Sequence, residues 1–377
     1  MTEFRFIHSS DLHLGKRFSN IPDETFRGRL QEARHGVLSR LHRAAHDHRA
    51  RHVLLAGDIF DTETPSDAVW RQALGVMGTD PDIHWWLLPG NHDSLAAEAL
   101  WDRVLDHAPP NVHPLLEPRA ISLAPGVTLL PAPTTRRYPG RNLTDWFEGH
   151  DTDPRDIRIG LAHGGTVDFS EDGDQPAIAP DLALTARLDY LALGDWHGRV
   201  NPGPRAWYSG TPERDGFKHD GRGGCLAVTL AGGGAAPRVS PVETGVFHWS
   251  DEVLPLLPGQ DAAAALYEML PAGAATRRDS LVRVRAEGRA TLQQHAALDA
   301  AARQVAPEFG HFVLNTDRLA TEVEAEDLDE IDRGGALRLA AESLRNGARD
   351  PDSDAASRAV AAAALNRLYA YLKEGGK

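Results

Sequence analysis

The sequence predicts an α/β layered protein with a smaller α+β domain behind it, on two observations. Short apolar runs alternate with longer segments of helical pattern through the first half of the chain, and acidic and histidine side chains follow directly on those runs. The runs are Phe4 to Ile7, His52 to Ala56, His84 to Leu88, Val127 to Leu130, Ile157 to Ala162 and Tyr190 to Leu193. Helical candidates between them are Asp23 to Arg49, Ser66 to Met77 and Leu95 to Asp106. From about Gly203 the glycine-rich stretch GGCLAVTLAGGGAAPRVSPVE reads as a hairpin closing this part of the chain. After about Gly245 come a helix near Asp261 to Leu270, a strand LVRVRAE at 281 to 287, a helix near Leu292 to Val305 and a strand near His311 to Leu314. The expected divisions are therefore 1–244, a smaller domain over 245–335, and a helical tail over 336–377. VEAEDLDEID, at 323 to 332, reads as a solvated acidic loop or helix start.

Composition narrows the class. With 377 residues the chain can bury a substantial core, and its single cysteine excludes an internal disulfide or a cysteine-rich zinc module. No apolar stretch approaches about 20 residues, and the N-terminus MTEFRFIHSS lacks the pattern of a signal peptide, so a cytoplasmic protein without a membrane span is expected. The formal charge of −14 sits awkwardly with nucleic-acid binding unless arginines are gathered locally.

The chemistry collects where the runs end. They are followed by DLH (Asp11, His13), GDIFD (Asp58, Asp61), PGNHD (Asn91, His92, Asp93), His163 and GDWH (Asp195, His197). Open α/β sheets bind ligands just beyond the carboxyl ends of their strands, so five loops are expected to converge. In LALGDWH, Asp195 and His197 lie two apart and can face one ligand. Asp11, His13, Asp58, Asn91, His163, Asp195 and His197 make a set of oxygen and imidazole donors without thiolates. It suits borderline divalent ions and is too large for one tetrahedral ion; two metals sharing a carboxylate fit it.

The order DxH, GDxxD, GNHD, a glycine-flanked histidine and GxxH resembles the calcineurin-like metallophosphoesterases. HSSDLHLGK at 8 to 16, AGDIFDTETPS at 56 to 66 and WYSGTPER at 207 to 214 resemble more narrowly the bacterial SbcD-type DNA repair exonucleases. The resemblance is specific over roughly residues 1 to 230. It implies a β-sandwich core flanked by helices with a capping domain, and two divalent metals: Asp11, His13 and His197 on one, Asn91, His163 and Asp195 on the other, and Asp58 between them. His92 would be the catalytic histidine, oriented by Asp61. The family pattern at the last strand is GHxH, so Asp195 stands where an imidazole is expected. As a ligand it favours manganese, iron or magnesium over zinc and a more alkaline optimum; otherwise it ligates poorly and that metal is loosely held.

The resemblance further implies DNA as substrate, a homodimer and an SbcC-like coiled-coil ATPase as partner. Arginines offered for DNA are Arg136, Arg137 and Arg141 in PAPTTRRYPGR, Arg199, and Arg283, Arg285 and Arg289 on or near the cap strand. The alternatives are a small-molecule phosphoesterase on the same core, which needs no cap, and a non-catalytic partner of the ATPase, against which His92 and the other six ligands stand. For assembly, Trp70, Leu74 and Met77 on one helix and Leu100, Trp101 and Val104 on another are either a dimer face or sheet packing. The tail from Ser353, an expected N-cap, with Ala361, Leu365, Leu368, Tyr369 and Leu372, docks on its own cap or on a partner.

Overall fold

A computed structural model describes residues 3–166, 177–257, 259–322 and 335–375. The acidic run at 323 to 332 lies outside them. The chain divides into two compact units, 1–248 and 249–377.

Unit 1 is built on two six-stranded sheets. The first has the order β12-β11-β1-β2-β3-β4, in which β1 (Phe4–Ser9), β2 (His52–Ala56), β3 (His84–Leu88) and β4 (Val112–Pro114) are parallel. The glycine-rich hairpin of β11 (Gly224–Leu230) and β12 (Arg238–Glu243) joins antiparallel to β1. The second has the order β5-β6-β7-β8-β10-β9. Its parallel centre is β6 (Val127–Ala132), β7 (Ile157–His163), β8 (Tyr190–Gly194) and β10 (Ala206–Tyr208), edged antiparallel by β5 (Ile121–Ala124) and β9 (Val200–Gly203).

Alternation along each strand assigns its two faces. Phe6, Leu54, Trp86 and Leu88 form one cluster with Leu129, Ile159, Leu161 and Tyr190 of the other sheet. Their neighbours Ile7, Val53, Leu55 and Trp85 form another with helices α2 (Val37–Asp47), α3 (Asp67–Met77) and α4 (Glu98–His107) on the outside, α2 being preceded by α1 (Glu24–His35). Gly36 separates α1 from α2, so the single long helical pattern is two helices. Trp70, Leu74, Met77, Leu100, Trp101 and Val104 all pack in this layer at 4% exposure or less. Of the two readings of these residues, sheet packing is the one the structure shows, and these side chains are not free for an interface.

The mixed α/β architecture is the expected fold class, and the two clusters explain why strands buried on both faces read as unbroken apolar runs.

Unit 2 has a three-stranded sheet in the order β13 (His248–Leu256), β14 (Ser280–Thr291), β15 (His311–Glu322), the last two parallel. Valines 282 and 284 face its core, together with helices α5 (Ala262–Met269) and α6 (Leu292–Val305). The α6 N-terminus is fixed by a capping box between Thr291 and Gln294. The tail forms α7 (Ala336–Arg349) and α8 (Ala355–Gly375). Leu365 and Tyr369 of α8 are buried with Leu292 and Ala341, so the tail docks on its own unit. Its cap is Asp354, whose carboxylate accepts from Ser357 N at 2.8 Å. The expected cap, Ser353, instead donates its hydroxyl to Asp350.

His295 lies inside unit 2 beside Thr321, and burial pushes its imidazole down to about 4. An unfolded-state histidine titrates near about 6.5. The folded form therefore stays neutral where the unfolded form takes a proton, and stability present above that value falls as pH drops from about 6.5 towards 4. Hydrogen-exchange protection of β14 and β15, corrected for intrinsic rates, should fall from pH 7 to pH 5 in the parent and fall less in His295→Gln. Equal losses would remove His295 as the cause.

Candidate metal centre

The pairing of β1 with β2 runs past the strands. Asp11 N donates to Gly57 O, His13 N to Asp58 O and Leu14 N to Ile59 O, at 2.8 to 3.0 Å. This ladder sets the DLH and GDIFD loops side by side. Its cost is local: Asp11, His13, Asp58 and Asp195 have φ of 55°, 45°, 53° and 98°, left-handed conformations that such residues adopt at some strain. Close approach explains the flanking glycines. A Cβ on Gly90 would collide with the Asp58 carboxylate and backbone, and one on Gly194 with the Ala56 carbonyl.

All seven expected donors come together. On one side His13 Nε2 lies 3.2 Å from His197 Nε2 and 3.7 Å from Asp58 Oδ2, with Asp11 Oδ1 4.0 Å from His197 Nε2. On the other, His163 Nε2 lies 3.2 Å from Asn91 Oδ1, 3.5 Å from Asp58 Oδ1 and 3.8 Å from Asp195 Oδ1. Asp58 stands between the two groups, one oxygen towards each. Asp195 is the loosest member, its side chain 39% exposed while its backbone N–H donates to Asp11 Oδ1 at 3.1 Å.

The outward nitrogens are set by hydrogen bonds on the far side of each ring. His163 Nδ1 donates to Ala56 O at 2.8 Å and His197 Nδ1 to Asp215 Oδ1 at 3.1 Å, which leaves each Nε2 as a lone pair in the neutral ring. His13 Nδ1 is buried 3.3 Å from Asp61 Oδ1 without forming a hydrogen bond. The His13 and His197 Nε2 atoms thus face each other at 3.2 Å, and His163 Nε2 faces an amide oxygen at 3.2 Å. With Asp11 and Asp58 among them, such a set favours positive charge between its members, as protons or as cations.

The titration behaviour shows the same demand. Burial works against the His163 imidazolium, yet Asp58 and Asp11 raise it well above its usual value. Burial likewise works to raise Asp58, yet His163 and His13 hold it below the carboxylate range. Asp195 is raised by burial together with Asp11 and Asp58, against the pull of His163. A divalent cation on each side answers all three, so the residues fit a two-metal centre.

His92 is placed differently from the expectation for its partner. Its Nδ1 bonds to the backbone carbonyl of Asp61 at 2.9 Å, and its backbone N–H donates to Asp58 Oδ1 at 2.9 Å. The Asp61 carboxylate is turned to His13 instead. The reason is the ladder: Asp61 N is tied to Leu14 O, which presents the Asp61 carbonyl to His92 and its side chain to the DLH loop.

Several supporting residues carry no assignment from sequence. Asp93, fully buried, accepts from Ile59 N, Phe60 N and Gly90 N at 2.7 to 3.0 Å and so joins the loops after β2 and β3. Burial and the nearby Asp58 raise its carboxyl to about 7. Its place in PGNHD was the only available signal. Asp215 links His197 to Lys16, with Nζ to Oδ2 at 2.7 Å, and nothing in its sequence surroundings marks it. Buried Arg34 donates to Leu12 O and Glu213 O, tying the DLH loop to TPER.

Of the arginines expected to meet DNA, Arg136 and Arg137 follow Thr134, whose N–H and carbonyl pair with Pro89 O and Leu95 N beside the GNHD loop. Arg199 is exposed just past His197. Nearby, Lys218 Nζ sits 4.2 Å over the Trp196 ring. In unit 2, Arg283 and Arg285 alternate with the buried valines as expected, but both bind Asp251 of β13, at 2.6 to 3.0 Å. One carboxylate between two guanidinium groups halves the charge of that stripe.

A family model for calcineurin-like phosphoesterases matches residues 4–199, just over half the chain. The chain belongs to the calcineurin-like phosphoesterase family. The family implies metal-dependent phosphoester hydrolysis, and candidate ligand groups Asp11–His13–His197 and Asp11–Asp58–His163 lie among the described residues. The chain is 28% identical over 247 residues to the uncharacterized metallophosphoesterase YhaO of Bacillus subtilis (strain 168), covering 62% of this chain and 59% of that protein. The chain thus spans about three fifths of the length of this relative. A solved structure is 10% identical and covers 64% of this chain and 99% of its own, with a TM-score of 0.37, too low to establish a shared fold. No described helix of this phosphoesterase is long and apolar enough to cross a membrane.

Removing the Asp93 carboxylate leaves three buried N–H groups without an acceptor. Asp93→Ala should cost roughly 3 kcal/mol in stability and loosen metal retention, read by urea unfolding with elemental analysis. If Asp195 is a ligand, Asp195→His should keep two metals per chain and shift preference from manganese towards zinc, read by competition between the two ions. An unchanged preference would place Asp195 outside the ligand set.

Proposed function

We propose that this phosphoesterase hydrolyses DNA phosphodiesters as the nuclease subunit of an SbcD-type repair complex, with two divalent ions, manganese foremost. The observation that carries the hydrolytic part is the convergence of imidazole, amide and carboxylate groups on both sides of Asp58, with His92 at its side. Divalent cations held there would supply charge neutralisation at the phosphoryl oxygens and acidify a water nucleophile.

The chain's own residues supply the rest. Asp58 spaces the two groups, and its hold on the His92 backbone N–H keeps that histidine in register with them. One His92 ring nitrogen lies within 4.8 Å of ligand atoms of both His13 and Asp58, inside the reach of a bound phosphate. With Nδ1 donating to the Asp61 carbonyl, Nε2 is left to pass a proton to or from a phosphoryl oxygen or the leaving alkoxide. Asp215 and Ala56 fix the tautomers of His197 and His163 so that no ring rotation accompanies turnover.

Support for a polyanionic substrate comes from the cations at the rim. Arg136, Arg137, Arg199 and Lys218 lie on loops adjoining the carboxyl ends of the strands, against a chain whose overall charge is −14. A local basic rim on an acidic protein directs a phosphate backbone to one place. Trp196, with Lys218 over its ring, offers a surface on which an unstacked base can lie. The narrower resemblance of HSSDLHLGK, AGDIFDTETPS and WYSGTPER supplies the DNA repair assignment, and with it a homodimer and a coiled-coil ATPase partner.

End-labelled duplex DNA, bis-p-nitrophenyl phosphate and a phosphomonoester, each with manganese, separate the readings. The nuclease cleaves the first two. His92→Ala should retain its metals and lose about 100-fold or more on both. Paired Arg136→Ala and Arg137→Ala should weaken DNA cleavage alone and flatten its salt dependence. Cleavage of small diesters with none of DNA would turn the assignment to a small-molecule phosphodiesterase.

A further inference from the structure

Away from the metal centre, His42 and His46 lie four apart on α2, and both turn towards the loop between α3 and β3. Their Nε2 atoms meet the same oxygen, Asp80 Oδ2, at 3.2 and 2.9 Å. The two rings stand edge to face with centroids 4.7 Å apart, and the three candidate ligand atoms fall within 4.8 Å of one another. We propose that His42, His46 and Asp80 form a second, peripheral site for a borderline divalent ion of the zinc class, pinning α2 to the turn that leads into β3.

The donor types and their spacing point to that ion. Two histidines at i and i+4 on one helix face with one carboxylate are a three-ligand set for zinc, with water as the fourth ligand. Bonds of about 2.0 to 2.1 Å in tetrahedral array separate ligand atoms by roughly 3.3 Å. The two observed separations fall short of that by less than half an ångström, which the exposed His46 side chain can make up by a small rotation.

The carboxylate is held ready by its surroundings. Asp80 Oδ1 accepts from Asp82 N at 3.0 Å, which leaves Oδ2 to the histidines. The Asp80 carbonyl accepts from Asn111 Nδ2 at 3.0 Å. Buried Asn111 also donates to Met77 O and Ile83 O, so one amide secures the whole turn. Orientation of a ligand by such outer contacts is characteristic of metal sites. The alternative is a pair of histidine–carboxylate hydrogen bonds with no ion, and it makes a different prediction for zinc binding.

The test uses the full chain saturated with zinc and freed of excess by gel filtration, with zinc per chain measured by elemental analysis. His46→Ala removes an exposed ligand and Asp80→Asn keeps the turn-forming oxygen while losing the charge. Neither residue touches the catalytic groups, so zinc held there is common to all three proteins and cancels in the comparison. Each variant should carry one zinc fewer than the parent, and zinc should raise the parent's thermal midpoint further than either variant's. Either variant holding as much zinc as the parent overturns the site and leaves the hydrogen-bonded pair as its explanation.

Discussion

The Asp93 carboxylate, buried beneath the metal centre, is the contact on which the site's geometry depends. It takes two N–H groups from the GDIFD loop and one from the PGNHD loop, and so fixes Asp58 relative to Asn91 and His92. A carboxylate here does what no other side chain of its size can, because its two oxygens accept several donors at once. The same burial raises its carboxyl to about 7, with Asp58 adding to the effect. The protein keeps an expensive group inside because three backbone donors would otherwise go unmet.

From that anchor the rest follows outward. The ladder between the first two loops places Asp11 and His13 against Asp58, at the cost of left-handed backbone at each. Arg34 then ties the DLH loop to the TPER segment at Glu213. Glu213 itself is buried and accepts from Arg40, Val246 N and Phe247 N. The strain is local and the restraints are distributed. That is how a cluster of like charges is held at the end of a sheet.

Electrostatics and substrate choice meet at one boundary. The centre is rich in carboxylates and asks for cations, while its rim carries arginine, lysine and the half-buried Trp196. A phosphate group would answer both, with cations on one side and guanidinium groups on the other. Asp195 adds a third carboxylate beside Asp11 and Asp58 and is the most exposed of the three.

The residues that gather at the candidate centre were legible in the sequence because each follows an apolar run, and parallel strands deliver their carboxyl ends to one edge. Asp11, His13, Asp58, Asn91, His163, Asp195 and His197 could therefore be named before any fold was known. So could the α/β class, since alternating runs and helices admit few other layers. Partners that depend on contacts between distant segments were not legible. Asp215 reaches His197 across a hairpin, Asp251 claims Arg283 and Arg285 from a neighbouring strand, and Asp61 serves His92 through its carbonyl, which no side-chain pattern records. Trp70 and Trp101 were equally fit for an interface or a core, and burial against the first sheet decided for the core. Sequence sets which groups are available and on which side of an element they emerge; only the folded chain sets which acceptor each donor meets, because that is a matter of distance between segments far apart along it.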